Sequence, residues 1–486
     1  MNLSLISLEI CVLTLGLVVL MADLWLPAER KKMLGYAAAV ALGLLLVINL
    51  SGYGHCTMPG NAFHDMFVQD ALSIFFKRLF LLAAILVLLM IAEFSDQIAA
   101  GISEYYSLVL FALVGMLFAS SANNFALLFV SLELITVTFY VLTSFQRSRV
   151  TSLEAGVKYL IIGSLSTAFT VFGIALVWGT SGKFSFTELA AVAAPMSGNK
   201  LFLFGLLFVM VGLGFKIAAF PFQIWVPDVY QGAPTPTTAF LAIGSKAAGF
   251  ALLLRVLFTA VPAITAQQAN VLIIISGITI LYGNLCAIPQ RNVKRLLGYS
   301  SIGHAGYLLL GVAAMAGAQT SDGAAALLYY LSGYLFTILA AFIVVILVMR
   351  HLETEDISGL EGLGQRSPLL AATMTLSMVS LAGLPPLAGF FGKFLLLKAV
   401  IAQGPINHGY YCLAFTALAG IVISIYYYFG VVRAIYWGQP NGAMPIAISR
   451  PLRLAIFGCV AGMFWLGLFP GVLLNLAKTG ADALGL

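Results

Sequence analysis

Charged side chains are scarce in this sequence: they make up 9% of 486 residues, against roughly a quarter in soluble domains. Cysteine is scarcer still, and Cys11, Cys56, Cys286, Cys412 and Cys459 lie far apart. No Cys-x-x-Cys pair or ferredoxin-like run occurs, which argues against an iron–sulfur cluster or a structural zinc site on this chain. No GxGxxG follows a strand pattern and no GxxxxGK[ST] loop is present, so any nucleotide or flavin chemistry would belong to another chain. The formal charge of +6 does not point to nucleic acid. The basic residues are dispersed in short connections, with no basic patch interleaved with aromatics.

What is abundant is apolar: 61% of the residues are hydrophobic. A bilayer core needs about 20 consecutive apolar residues per helix. Fourteen such runs occur, at 3–25, 33–52, 71–93, 104–121, 124–145, 153–178, 201–225, 235–259, 269–288, 293–316, 323–349, 368–402, 408–437 and 452–476. The first lacks a basic leader and is too long for a signal peptide, so it reads as a span. The fold class is an all-α integral membrane protein of about 14 transmembrane helices.

An even span count puts both termini on one side. Arg30, Lys31, Lys32, Arg147, Arg149, Arg291, Lys294, Arg295, Arg350, Arg366, Arg433, Arg450 and Arg453 fall in the odd-to-even connections, whereas Lys183, Lys200 and Lys478 fall on the opposite side. Basic loops stay cytoplasmic, so both termini are expected on the non-cytoplasmic side.

The chain reads as internally duplicated. NNFALLFVS at 123–131 matches NVKRLLGYS at 292–300 at an offset of 169, and the same offset carries the Lys216–Pro221 region onto the Pro385–Phe390 region. Five spans separate the copies, so they face opposite ways, the inverted repeat of a transporter with its site on discontinuous helices. The expected organisation is helices 1–3 in residues 1–103, a first repeat in 104–259, a second in 269–437 and a last helix in 452–486.

The stretch VGLGFKIAAFPFQIWVPDVYQGAPTPTTAFLAIGSKAAGF (211–250) organises the chain. It reads as two helices joined by a short polar turn, each with one intramembrane lysine, Lys216 and Lys246. Pro221 breaks the first helix; Pro385 and Pro386 break the run that carries Lys393. A charge at membrane depth costs about 2.5–3.5 kcal/mol on insertion scales and marks a functional site by default. A broken helix frees backbone groups that need partners in protein or water. Glu133 lies ten residues into its run, Glu154 and Lys158 share a helix face four apart, and His304 lies within span ten. Burial disfavours the charged form of such groups and a nearby opposite charge restores it, so a line of them is suited to loading and releasing protons.

Plainer readings exist for each. Glu133 and Lys216 are also placed to be a static ion pair, Lys158 and Glu154 to snorkel to the surface, and His304 to be a satisfied core residue. Lys294 and Arg295 mark topology, with Lys294 also a candidate channel mouth. Lys77, Arg78, Arg255 and Lys398 lie toward the outer ends of their spans and read as snorkelling anchors. Glu9 has no visible partner.

At these residues a resemblance emerges. FKIAAFPFQIWVPDVYQGAPTPTTAFLAIGSK, KRLLGYSSIGHAGY and LAGLPPLAGFFGKF resemble the antiporter-like membrane subunits of respiratory complex I and their relatives in cation/proton antiporters. The similarity runs over nearly the whole chain. It looks most like the subunit N branch: the chain stops soon after its fourteenth span, lacks the lateral helix of subunit L, and carries Lys393 where subunit M typically has glutamate. The resemblance implies proton translocation through Glu133, Lys158, Lys216, Lys246 and Lys393, with Glu154, Lys294 and His304 as further relay candidates. It implies a modulating pair of Glu133 and Lys216, a hydrated midplane axis through the remaining lysines and His304, and a bacterial inner-membrane location. NADH, FMN, iron–sulfur clusters and quinone would sit on partner subunits, with no cofactor or metal on this chain. Neighbouring antiporter-like and small membrane subunits would be its partners. The alternatives are a subunit of a multi-chain cation/proton antiporter or membrane-bound hydrogenase, or a structural membrane subunit whose charges are fixed pairs.

Overall fold

A computed structural model describes residues 3–52, 57–98, 101–318, 320–350, 352, 355–439 and 446–485; Cys56 lies outside them. Thirteen helices among these residues are long and apolar enough to cross a membrane. The run at 368–402 supplies two shorter helices instead, Pro368–Ala382 and Ala388–Ile401. Of the fourteen expected runs, thirteen thus carry one such helix, and the run at 368–402 is divided between two shorter ones.

The bundle is layered from the centre outwards. Thr235–Ala260 is wholly buried and Val293–Gly317 and Asp322–Met349 nearly so, whereas Lys31–Ser51 and Val150–Ser181 keep most of their surface outside. Among the described residues a two-stranded antiparallel hairpin departs from the all-helical pattern. Gly60–Ala62 pairs with Phe67–Gln69, and Phe67 bridges to Ala122.

Two places in the chain begin alike. Asn124 bridges Ser185, and Asn292 bridges Asp356. In the first, Phe125 N–H donates to the Phe184 carbonyl and Phe186 N–H to Asn123. In the second, Val293 N–H donates to Glu355 and Ile357 N–H to Arg291. The structural counterpart of Asn292 is thus Asn124, one residue along from the Asn123 that sequence matching selects.

The two helix breaks also correspond. Lys200–Ile217 ends on Ala218 (φ 63°) and Pro368–Ala382 ends on Gly383 (φ 86°), both left-handed caps. Each is followed three residues later by a proline, Pro221 or Pro386, after a cis peptide bond. Left-handed geometry is routine for glycine but strained for alanine, so Ala218 hides a cap that composition alone would place at a glycine. By this register Lys216 and Lys393 are not equivalents: Lys216 precedes its break and Lys393 follows the other.

The expected polar turn after Pro221 is a helix. Val226–Gly232 forms the second half of the broken span, with Pro227 in its first turn, where its missing N–H costs nothing. The next helix has two π-helical segments, Leu241–Ser245 and Arg255–Ala260, the first ending immediately before Lys246.

Candidate functional site

Lys216, Lys246 and Lys393 are each 3% exposed, so none of them reaches lipid or bulk water by snorkelling. Each is held by hydroxyls or backbone carbonyls rather than by a carboxylate. Lys216 lies in the last turn of Lys200–Ile217, where the negative end of the helix favours a cation, and donates to Thr136 Oγ1 at 2.9 Å. Lys246 donates to the Ser301 carbonyl at 2.5 Å and also meets the Ser301 hydroxyl. Lys393 donates to the carbonyls of Leu381 and Ala382, which the second break leaves without helical partners.

Glu133 and Lys216 do not form a direct pair. Glu133 accepts from Thr167 Oγ1 at 2.8 Å. Both side chains line one small cavity of about 20 Å³, with Thr136, Thr167 and Thr170 around it. That volume admits a single water, which needs about 10–15 Å³ and two to four polar partners. The static ion pair that sequence allows is therefore absent between these two residues.

Tyrosines and serines fill the spaces between the cations. Ser301 joins Lys246 to the Tyr230 hydroxyl, 3.1 Å away. His304 is buried between the hydroxyls of Tyr330 and Tyr428, at 3.0 Å for the latter, and Ser300 also meets Tyr428. Lys393 stands over the Tyr307 ring at 4.7 Å. Lys216 and Lys246 approach through Gly249, one turn beyond Lys246, where a Cβ would touch the Lys216 stem at 3.3 Å.

Lys158 belongs to a different group. It is half-exposed, pairs with Glu154 at 2.7 Å as their spacing predicts, and also pairs with Asp228 at 2.8 Å. Asp228 in turn holds Arg295 at 2.5 Å, so one carboxylate of the broken span ties the helix at Val150 to the helix at Val293. Lys294 is fully buried. It pairs with Glu355 at 3.1 Å and donates to the Ala233 carbonyl, and Arg149 reaches the same Glu355.

Three outer cations do not snorkel as expected. Lys77 is sealed against Glu9 at 2.7 Å, with both side chains at most 1% exposed. Arg255 makes a two-pronged contact with Asp70 and reaches the Ser120 carbonyl. Arg78 donates to Asn49. Lys398 is exposed, as anticipated. Partners for the first two come from helices 60 or more positions away in sequence, out of reach of any local pattern.

Sequence reasoning overlooked Asp228, Ser301, Glu355 and the buried tyrosines. Asp228 carried a signal, as the one acidic residue in the stretch from Val211 to Phe250. The tyrosines carried little, because a buried Tyr is ordinary until its hydroxyl partner is known.

With this arrangement in place, the chain matches known proteins in both sequence and structure. The family described as NADH:quinone oxidoreductase/Mrp antiporter, transmembrane region, matches residues 122–421. The chain belongs to this family. Its relatives include NADH-quinone oxidoreductase subunit N of Heliobacterium modesticaldum, 38% identical with all of both chains covered. Subunit N of Rhodospirillum rubrum is 37% identical, covering 98% of this chain and 96% of its own. In solved structures, a chain of respiratory complex I from Thermus thermophilus matches with a TM-score of 0.80 at 32% identity, covering 97% of this chain and all of that one. A chain of the Mrp complex from Dietzia shares the fold, with a TM-score of 0.84 at 21% identity, over 100% of this chain and 98% of its own.

Within the NADH:quinone oxidoreductase/Mrp antiporter family, the matched region opens at Ala122, at the first backbone bridge, and closes beyond the second helix break. It therefore contains Glu133, Lys158, Lys216, Lys246, His304 and Lys393. Among the described residues no group of three or more His, Cys, Asp or Glu is arranged to hold a metal ion.

Proposed function

We propose that this chain is the proton-translocating N subunit of an NADH:quinone oxidoreductase, moving protons across a bacterial membrane while redox chemistry proceeds on other chains. The observation that carries the proposal is the row of three buried lysines, each bonded to hydroxyls or carbonyls and none to a carboxylate. An ammonium fixed in a structural ion pair resists losing its proton; one held by neutral acceptors loses it at much smaller cost.

The residues divide the work as follows. Glu133 faces Lys216 across the small cavity and biases the charge on that lysine. Lys216, Lys246, His304 and Lys393 form the midplane row, with Ser301, Tyr230, Tyr330 and Tyr428 as intervening hydroxyls that accept from one neighbour and donate to the next. The breaks after Ile217 and Ala382 leave polar backbone ends beside the row. Lys158, Glu154 and Asp228 are a surface-side group, and movement of Asp228 between Lys158 and Arg295 changes the charge balance at the first break.

Intake is assigned to a cavity of about 310 Å³ lined by Gln97, Arg149, Thr235, Arg350 and Glu355, at the end of the bundle where charge distribution places the cytoplasm. Lys294 is paired to Glu355 of its lining. Two helical turns beyond Lys294, on the same face, is Ser301, the partner of Lys246. The two similar openings at Asn124 and Asn292 support division into two repeats, 104–259 and 269–437, which we read as inverted; the basic residues of the connections support both termini on the non-cytoplasmic side.

The deciding experiment is proton pumping per NADH oxidised, in the whole complex reconstituted into vesicles. Lys246→Ala and Glu133→Ala complexes that assemble are expected to oxidise NADH with depressed pumping. Normal pumping by both would exclude these residues from the relay and favour a structural role.

A further inference from the structure

Arg78 is the cation of its neighbourhood without a carboxylate. Lys77 beside it is paired with Glu9, and Arg255 with Asp70. Arg78 instead uses Nε and Nη2 on Asn49 Oδ1 and the Asn49 carbonyl, both at 2.8 Å. Among the described residues Arg78 has no ion pair, and its Nη1 has no hydrogen bond.

Arg78 also lines a groove of about 460 Å³ between helices Lys31–Ser51, Ala71–Phe94, Asp322–Met349, Arg450–Leu468 and Gly471–Asp482. The lining is mostly apolar, including Leu46, Phe75, Leu335 and Trp465, with Thr57 and Thr479 also on it. Asn49 is two residues from the end of its helix, so the guanidinium stands near the polar end of the span while the trough runs toward the apolar interior. A positive head with a long apolar tail-slot is the complement of an anionic headgroup with an acyl chain. Basic pockets between transmembrane helices bind lipid head groups for this reason.

We propose that this groove holds one phospholipid, with its phosphate on Arg78 and an acyl chain against Leu335 and Trp465. Asn49 holds the guanidinium of this lining residue by two of its donors and leaves Nη1 for a further acceptor, so the phosphate meets a preset cation. The site is remote from the lysine row and stands independently of the proposed proton path.

The test is native mass spectrometry of the subunit released from the complex purified in mild detergent, with phosphatidylglycerol supplied as the probe. The wild type should retain one phospholipid through delipidating washes. Arg78→Ala should lower its retention about tenfold, as expected for one charge-assisted contact, and Arg78→Lys should keep most of it. Ser332→Phe, which fills the groove with Arg78 intact, should also expel the lipid, and Lys398→Ala should change nothing. Equal retention by Arg78→Ala or Ser332→Phe overturns the proposal. So does density in the assembled complex showing a neighbouring subunit's carboxylate seated on Arg78. Should Arg78→Ala fail to assemble, Ser332→Phe still decides the question.

Discussion

Lys393 reaches back across the gap in its own broken span to donate to the carbonyl of Leu381 at 2.7 Å. The lysine closes the open end of one half-helix from a position one turn inside the other. Its ammonium therefore satisfies orphan carbonyls while standing over Tyr307 in the buried row. The break and the cation are a single device: without the break no carbonyls would be free, and without them the buried charge would lack acceptors.

Lys393→Ala should assemble and pump fewer protons per NADH. It should also lose about 1–3 kcal/mol of stability, since it orphans the two carbonyls. Gly383→Ala provides a separate check with the lysine retained. A Cβ there would meet Lys393 Cδ at 2.8 Å, on a backbone with φ of 86°. It should depress pumping by displacing the ammonium, measured by vesicle acidification alongside NADH oxidation.

The Glu9–Lys77 pair predicts a non-additive response. Removing either partner strands a buried charge, at a cost of about 3–5 kcal/mol. Glu9→Gln and Lys77→Met should each reduce the assembled complex on native gels. The double substitution should recover much of the loss, because neither charge remains. Additive losses would show that the two residues act separately.

Asp70 caps the helix Ala71–Phe94 by accepting from Ser73 and also holds Arg255. Burial raises its pKa, but the charge and hydrogen bonds of Arg255 outweigh this and set it below the ordinary carboxylate range. A lowered folded pKa gives stability that is fully present above the unfolded value of about 3.9 and lost as pH falls through the folded value. The thermal stability of the complex should thus fall in acid below about pH 4. Asp70→Asn should be less stable at neutral pH and show a smaller acid-dependent loss. An unchanged acid slope would remove Asp70 as a source of it.

Glu355→Gln should slow proton uptake while leaving the midplane row intact. The amide keeps the shape of the side chain but removes the charge opposing Lys294 and Arg149. Stopped-flow measurement with a pH dye on the cytoplasmic side should show a slower uptake phase in an assembled complex. An uptake rate equal to wild type would place the intake elsewhere.

Much of the architecture was readable from the chain. Lys246 sits mid-run with no loop in reach, so its burial followed from position alone, and the Glu154–Lys158 contact followed from spacing. The pairings of Lys77 and Arg255 were not readable. A cation near the end of an apolar run looks the same whether it bends outward to water or inward to a carboxylate on another helix. The helical second half at Val226–Gly232 was hidden by its polar composition, which suits a turn equally well.

The amino-acid order by itself determined the membrane spans, the depth of the ionisable groups and the two places where the helices part. These depend on apolar run length and on proline, both local properties of a chain in a bilayer. Tertiary structure alone decided which atoms those groups touch: that Glu133 stands off from Lys216, that Ser301 serves Lys246, and that Arg78 meets Asn49 where its neighbours meet acids. A buried charge chooses its partner by distance in space, and helices far apart in sequence bring those partners within reach only once they pack.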